Sequence, residues 1–179
     1  LVFVDPCSDP EVIAGQGTIG LEILEQVKVV DVIVAPIGGG GLITGLGTAV
    51  RHLKPGIRII GVQTSACPAM VHSIRDKKCY TEYPTAPSVC DALVGGVGVI
   101  PYELADKCID EIVIVDEDEI KKAVAETIEK EKVICEPSSA VGMAALKRYP
   151  ELFRGKRTVV VVTGGNLDTA LMQKLLLGS

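Results

Sequence analysis

Ala35-Pro36-Ile37-Gly38-Gly39-Gly40-Gly41-Leu42 decides how this chain is read, because four successive glycines stand between an apolar run and a helical pattern. Glycine loses more backbone freedom on folding than any other residue, so a run of four requires a reason. Without Cβ atoms such a turn can take positive φ angles and present consecutive amides to an anion. The helix that follows adds the positive end of its dipole. That reading is a phosphate cradle at a strand-to-helix junction; the alternative is a tight turn that needs glycine only for close packing. No Gly-x-Gly-x-x-Gly can be threaded through Gly38 to Gly47 and no Gly-Lys-Ser/Thr follows, so the dinucleotide fingerprint and the P-loop both fail on spacing. A dinucleotide site would also want an acid near the end of the next strand, where this chain has Gln63.

Outward from this turn, three continuous apolar runs, Val29 to Ala35, Ile57 to Val62 and Thr158 to Val162, are rich in β-branched residues. Continuous rather than alternating hydrophobicity predicts strands covered on both faces. Helical patterns over Thr18 to Gln26 and Ile43 to Leu53 alternate with them, which predicts a parallel α/β sheet. A shorter run, Ile112 to Val115, leads to Asp116 and Glu119 at capping-box spacing ahead of Ile120, Val124 and Ile128. A further helix is predicted from Pro137 and Ser138 through Met143 and Leu146, and a last one from near Asp168. Cys79 to Gly98 carries too many prolines and glycines for a regular element and is expected to be a long loop over the site.

The composition narrows the class. Hydrophobic residues make up 47% of the 179 and aromatics 3%, so the core must be built from Val, Ile, Leu and Ala. A net charge of -5 without a Lys/Arg run argues against nucleic-acid or anionic-membrane partners. Cys7, Cys67, Cys79, Cys90, Cys108 and Cys135 form no Cys-x-x-Cys pair and are read as reduced cytosolic thiols. With no leader pattern or long apolar stretch, the expectation is one domain, cytoplasmic. Leu1-Val2-Phe3-Val4 is read as lying within a strand, and because the chain opens there without Met it is expected to be a fragment.

Four segments taken together resemble the serine/threonine dehydratase and serine racemase family of fold-type-II pyridoxal-phosphate enzymes. They are Val12-Ile13-Ala14-Gly15-Gln16-Gly17-Thr18, Gly38 to Leu42, Cys135-Glu136-Pro137-Ser138-Ser139-Ala140 and Thr163-Gly164-Gly165-Asn166-Leu167-Asp168. The resemblance spans essentially the whole chain. It implies a three-layer parallel α/β sheet like that of the tryptophan synthase β subunit. It also implies that residues 1–179 are the C-terminal portion of the large cofactor-binding domain, with the small domain and the lysine-bearing segment upstream.

By this resemblance Gly38, Gly39, Gly40, Gly41 and the Leu42 amide hold the phosphate of pyridoxal 5'-phosphate. Thr163 faces the pyridine nitrogen, where a hydroxyl, unlike a carboxylate, does not keep the ring protonated. By position alone Thr163 reads rather as a strand-end residue satisfying backbone groups, and only the surrounding Gly-Gly-Asn favours the ring role. Glu136 approaches the cofactor ring or caps the helix that follows it. Cys90-Asp91-Ala92-Leu93-Val94-Gly95-Gly96 lies against the ring. The implied reaction is elimination of water from L-serine or L-threonine to give a 2-oxo acid and ammonia, or racemisation of serine, in a homo-oligomer.

Two departures qualify the resemblance. Some members place a metal-binding carboxylate after the strand that here ends Gly61-Val62-Gln63, followed by Ala66, Cys67 and Ala69. These residues lack the hard anionic oxygens a divalent ion needs, so no metal is expected. None of the lysines, including Lys77-Lys78 and Lys121-Lys122, sits in a motif matching the Schiff-base lysine, so no catalytic residue is expected in this chain. A non-catalytic phosphate-binding module and a truncated structural fragment therefore stand as rival readings.

Overall fold

A computed structural model describes residues 1–177. In chain order the elements are α1 (Pro10–Gln26), β1 (Val32–Pro36), α2 (Gly41–Leu53), β2 (Arg58–Thr64), α3 (Ala69–Asp76), α4 (Val99–Cys108), β3 (Glu111–Val115), α5 (Glu117–Glu126), α6 (Pro137–Arg148), α7 (Pro150–Phe153), β4 (Thr158–Val160) and α8 (Thr169–Leu177). The four strands form one parallel sheet in the order β3-β2-β1-β4.

Alternate residues of the central strands feed two cores. Val32 and Val34 of β1 join Ile60 and Val62 of β2 on the face covered by α5 and α6, with Val124, Val141 and Ala144 packed on them. Ile33, Ala35 and Ile59 point the other way, into Ile43, Leu46 and Val50 of α2 and Met70 of α3. Both faces are therefore dry, as the continuous apolar runs predict, and the architecture is three-layer α/β. Each buried Val or Ile contributes about 1.5–3 kcal/mol from its own burial.

The element ends follow local chemistry. Asp9 accepts from the Glu11 and Val12 amides and Pro10 occupies the first turn of α1, so this helix starts eight residues before the expected Thr18. The capping box at α5 forms as its spacing predicts, with the Asp116 amide donating to Glu119 Oε2 at 2.8 Å. The helix from Pro137 and the helix after Asp168 also form as expected. Asp168 Oδ1 accepts from the Ala170 amide at 2.8 Å.

Two expectations are corrected. Thr158 to Val162 is not a strand covered on both faces: β4 spans three half-buried residues and pairs with β1 alone, and Val162 is 41% exposed. As the edge of the sheet among the described residues, it has a neighbour on one side only. Leu1 to Val4 pairs with no strand and is exposed.

Candidate active site

β1 ends at Pro36 and α2 begins at Gly41, so the glycine run forms the connection between a buried central strand and a helix. The Ile37 amide donates to the Val62 carbonyl at 2.8 Å, which locks the start of the turn onto β2. Gly40 then takes φ +95°, in the left-handed region, as the cap of α2. A β-branched residue would be strained there. No side chain caps α2, which leaves its first amides open to an outside acceptor.

The glycines are also needed for close approach. A Cβ on Gly40 would lie 2.7 Å from Pro101 Cβ and 2.9 Å from Met70 Cε, and one on Gly38 2.9 Å from the Ala92 carbonyl. A Cβ on Gly39 would collide with the Cys7 side chain. The packing reason and the anion reason thus apply to the same residues. In α1, Gly17 and Gly20 lie against α2 close to the Gly45 and Leu46 carbonyls, and this contact brings Val12, Gln16 and Ile19 to the edge of the turn.

The loop after α3 supplies a second wall. Ala92 and Leu93, in the short 3-10 turn Asp91–Leu93, face the glycines, whereas Asp91 does not line the cleft. Glu117 fixes this loop: it accepts from the Ser88 hydroxyl at 2.9 Å, from the Val89 amide at 2.6 Å, and from the Thr64 hydroxyl. Ser138 accepts from the Ala92 amide at 3.2 Å and so ties the loop to α6.

The third wall is made by Glu136 and the segment after β4. Glu136 stands at the cap position of α6, yet its side chain makes no cap bond to that helix. It accepts instead from the Asn166 amide at 3.2 Å, while its own amide donates to the Gly164 carbonyl at 3.0 Å. The helix-capping alternative for Glu136 is therefore not what its side chain does. Thr163 Oγ1 lies 2.9 Å from Ser139 Oγ, which also accepts from the Gly164 amide at 2.7 Å.

These walls enclose a cleft of about 600 Å³. All seven residues singled out in the sequence, Gly38, Gly39, Gly40, Gly41, Leu42, Glu136 and Thr163, line it together. It opens at the carboxyl ends of β1 and β4, with α2 and α6 on opposite faces of the sheet. That is the switch point at which open α/β sheets place their ligands.

Ala92 and Leu93 reach the cleft from the segment expected against the ring, whereas Cys7 and Ser138 line it without having been expected there. The signal available was the pair of serines directly after Pro137, at a helix start. Burial, and to a lesser degree the Asp5 charge, raises the Cys7 thiol above its ordinary pKa, so it is no activated nucleophile. Gln63 is buried elsewhere, accepting from the Val71 amide at 3.0 Å. Among the described residues no cluster of three or more His, Cys, Asp or Glu is placed to hold a metal, and no lysine lines the cleft. A separate groove of about 570 Å³, with Tyr102, Glu103 and Ile112 in its lining, is built from α3, α4 and β3 and shares no lining residue with the cleft.

Known proteins share this sequence and fold. Residues 1–164 match the family described as pyridoxal-phosphate dependent enzyme. The chain is 41% identical to L-threonine ammonia-lyase of Thermotoga maritima, covering 98% of this chain and 43% of that protein. It is 38% identical to the catabolic L-threonine dehydratase of Escherichia coli K12, covering 97% and 54%. In structure it resembles the processed form of threonine deaminase isoform 2 from Solanum lycopersicum, with TM-score 0.90 and 31% identity over 98% of this chain and 52% of that one. Maize serine racemase follows with TM-score 0.88 and 30% identity, over 99% and 57%. The chain spans about half the length of these relatives. Its matched sequence and its sheet place it in the family of pyridoxal-phosphate-dependent enzymes, with the α/β fold of threonine deaminase and serine racemase.

Proposed function

We propose that these 179 residues form the phosphate- and ring-binding part of a dehydratase that converts L-threonine or L-serine to a 2-oxo acid and ammonia. The observation that carries the proposal is the uncapped start of α2, behind a left-handed Gly40, opening into a cleft that also holds Glu136 and Thr163. The residues fit a phosphorylated aromatic cofactor. The amides of Gly39, Gly40, Gly41 and Leu42 can bind an anion where any Cβ would intrude. The cleft volume falls within the range of small-molecule sites.

When bound, pyridoxal phosphate supplies a conjugated ring that takes up the electron pair left as the amino acid loses its α-proton. This chain's own residues bind and orient. The glycine turn anchors the phosphate, Ala92 and Leu93 wall one side, and Thr163 offers a hydroxyl rather than a carboxylate to the ring nitrogen. Glu136, held by the Asn166 amide, keeps a second carboxylate oxygen available beside the cleft. In this proposal the covalent attachment point and the small domain belong to chain outside these residues. Six free thiols, four of them buried, support a reducing, cytoplasmic setting. No helix among the described residues is long and apolar enough to cross a membrane. A homo-oligomer acting on a free amino acid belongs to the same proposal.

The test is reconstitution. Mixing the chain with a separately made lysine-bearing upstream segment should restore 2-oxo acid release from L-threonine in the presence of pyridoxal phosphate. Cofactor binding without recovery would point to a binding module, and loss of both would end the dehydratase reading.

A further inference from the structure

Ser139 is fully buried in the first turn of α6, and none of the reasons usual for a helix-start serine accounts for it. Its hydroxyl caps nothing in its own helix. It reaches across to the segment after β4, accepting from the Gly164 amide at 2.7 Å and lying 2.9 Å from Thr163 Oγ1. Thr163, by contrast, is exposed on the cleft.

Proton accounting fixes the direction of the Ser139–Thr163 bond. A hydroxyl carries one proton and two lone pairs. Ser139 Oγ already spends a lone pair on the Gly164 amide, and among the described residues Thr163 Oγ1 is the one acceptor within its reach. If Thr163 were the donor, the Ser139 proton would be left buried without a partner, an arrangement folded proteins avoid. Ser139 therefore donates and Thr163 accepts, so the Thr163 proton is free to point into the cleft.

We infer that Ser139 is a positioning residue that sets Thr163 as a hydrogen-bond donor toward the cleft, so that the site selects a ring nitrogen carrying no proton. This deepens the cofactor reading and rests on it. A carboxylate facing that nitrogen would hold it protonated; a lone threonine could turn either way, donating to a bare nitrogen or accepting from a protonated one. The buried serine removes the second option. It also gives the fully buried hydroxyl of Ser139 a use, as the hydroxyl of its buried neighbour Ser138 is used by the Ala92 amide.

The experiment uses the full chain with pyridoxine 5'-phosphate labelled with ¹⁵N in the ring. This probe carries the same ring nitrogen and phosphate but no aldehyde to react with surface lysines. Bound to the unaltered chain, its nitrogen signal should sit in the unprotonated, hydrogen-bonded range. In Ser139→Ala the signal should move toward the protonated range, with the ring's protonation constant about fivefold higher, the worth of one net hydrogen bond. Ser139→Thr should restore the original signal. Ser139→Cys, closer in volume and a weak donor, should behave like the alanine variant and serves if alanine destabilises α6.

Ser73 is another buried serine, bonded to the Ala69 carbonyl and the Tyr80 amide away from the cleft. Ser73→Ala should lower stability without moving the nitrogen signal. Probe binding with the same nitrogen signal in unaltered, Ser139→Ala and Ser139→Cys chains would overturn this inference alone. No binding by the unaltered chain would overturn the cofactor reading and the inference with it.

Discussion

The two halves of the cleft are built on different foundations. The glycine turn hangs from β1, a central strand whose residues are fully buried and bonded on both sides, and leads into a helix packed tightly on α1. The wall carrying Thr163 hangs from β4, a three-residue edge strand that leaves Val162 and Thr163 exposed. The first is held by packing that tolerates no side chain. The second is held by hydrogen bonds that Glu136, at the cap of α6, and Ser139, in its first turn, accept from the Asn166 and Gly164 amides. Anchoring an anion needs a rigid backbone; tuning a ring needs side chains that a buried helix can aim.

That contrast can be broken hardest at Gly40. Gly40→Val adds strain at a positive φ and overlaps Pro101 and Met70, so stability measured by urea unfolding should fall by about 2–4 kcal/mol, with phosphate binding lost. Unchanged binding would remove the anion role from this turn. Glu117→Ala comes next: it strips the partner from Thr64, Ser88 and the Val89 amide, and should cost about 2 kcal/mol in the same assay while loosening the Ala92–Leu93 wall. A variant as stable as the parent would show that the loop is held by packing instead.

Smaller effects sharpen the comparison. Cys7 lies against Gly39, so a phosphate-bearing ligand should slow its alkylation several-fold, whereas Cys90, buried with its thiol pushed up to about 12, should stay unreactive with or without ligand. Equal rates at Cys7 would place the ligand elsewhere.

The edge strand offers the mildest test. Arg157 bonds to Asp31 through its side chain and amide and holds that carboxyl down at about 2. Because the folded value is depressed, the pair supports the β1–β4 pairing above the ordinary carboxylate range. That support is lost as pH falls through that range toward 2. Both groups are exposed, so the effect is small. Asp31→Asn should speed hydrogen exchange at the start of β4 near neutral pH and change nothing at the acid end; equal rates throughout would show the pair contributes nothing.

What could be read from the chain followed the same divide. The run from Ala35 to Leu42 and the Asp116–Glu119 spacing carry their structure locally, in residues whose backbone or capping preferences leave few options. The helical pattern read from Thr18 misses the first two turns of α1, which hold Gly15 and Gly17; only the packing of α1 on α2 reveals that Gly17 sits there for close approach. β4 looked like a core strand because apolar composition does not distinguish a central position from an edge. Ser139 and Glu117 were invisible as supports because their partners, Thr163 and Ser88, lie 24 and 29 residues away. Asp91 stood in a segment that does reach the cleft, yet the 3-10 turn sends its neighbours inward instead.

The most direct test follows the backbone amides of the ¹⁵N-labelled chain during titration with pyridoxal phosphate. Saturable shifts at Gly39, Gly40, Gly41 and Leu42, reversed by excess inorganic phosphate, are the predicted result. Shifts confined to the groove around Tyr102 and Ile112, with the glycine amides unmoved, would contradict the account.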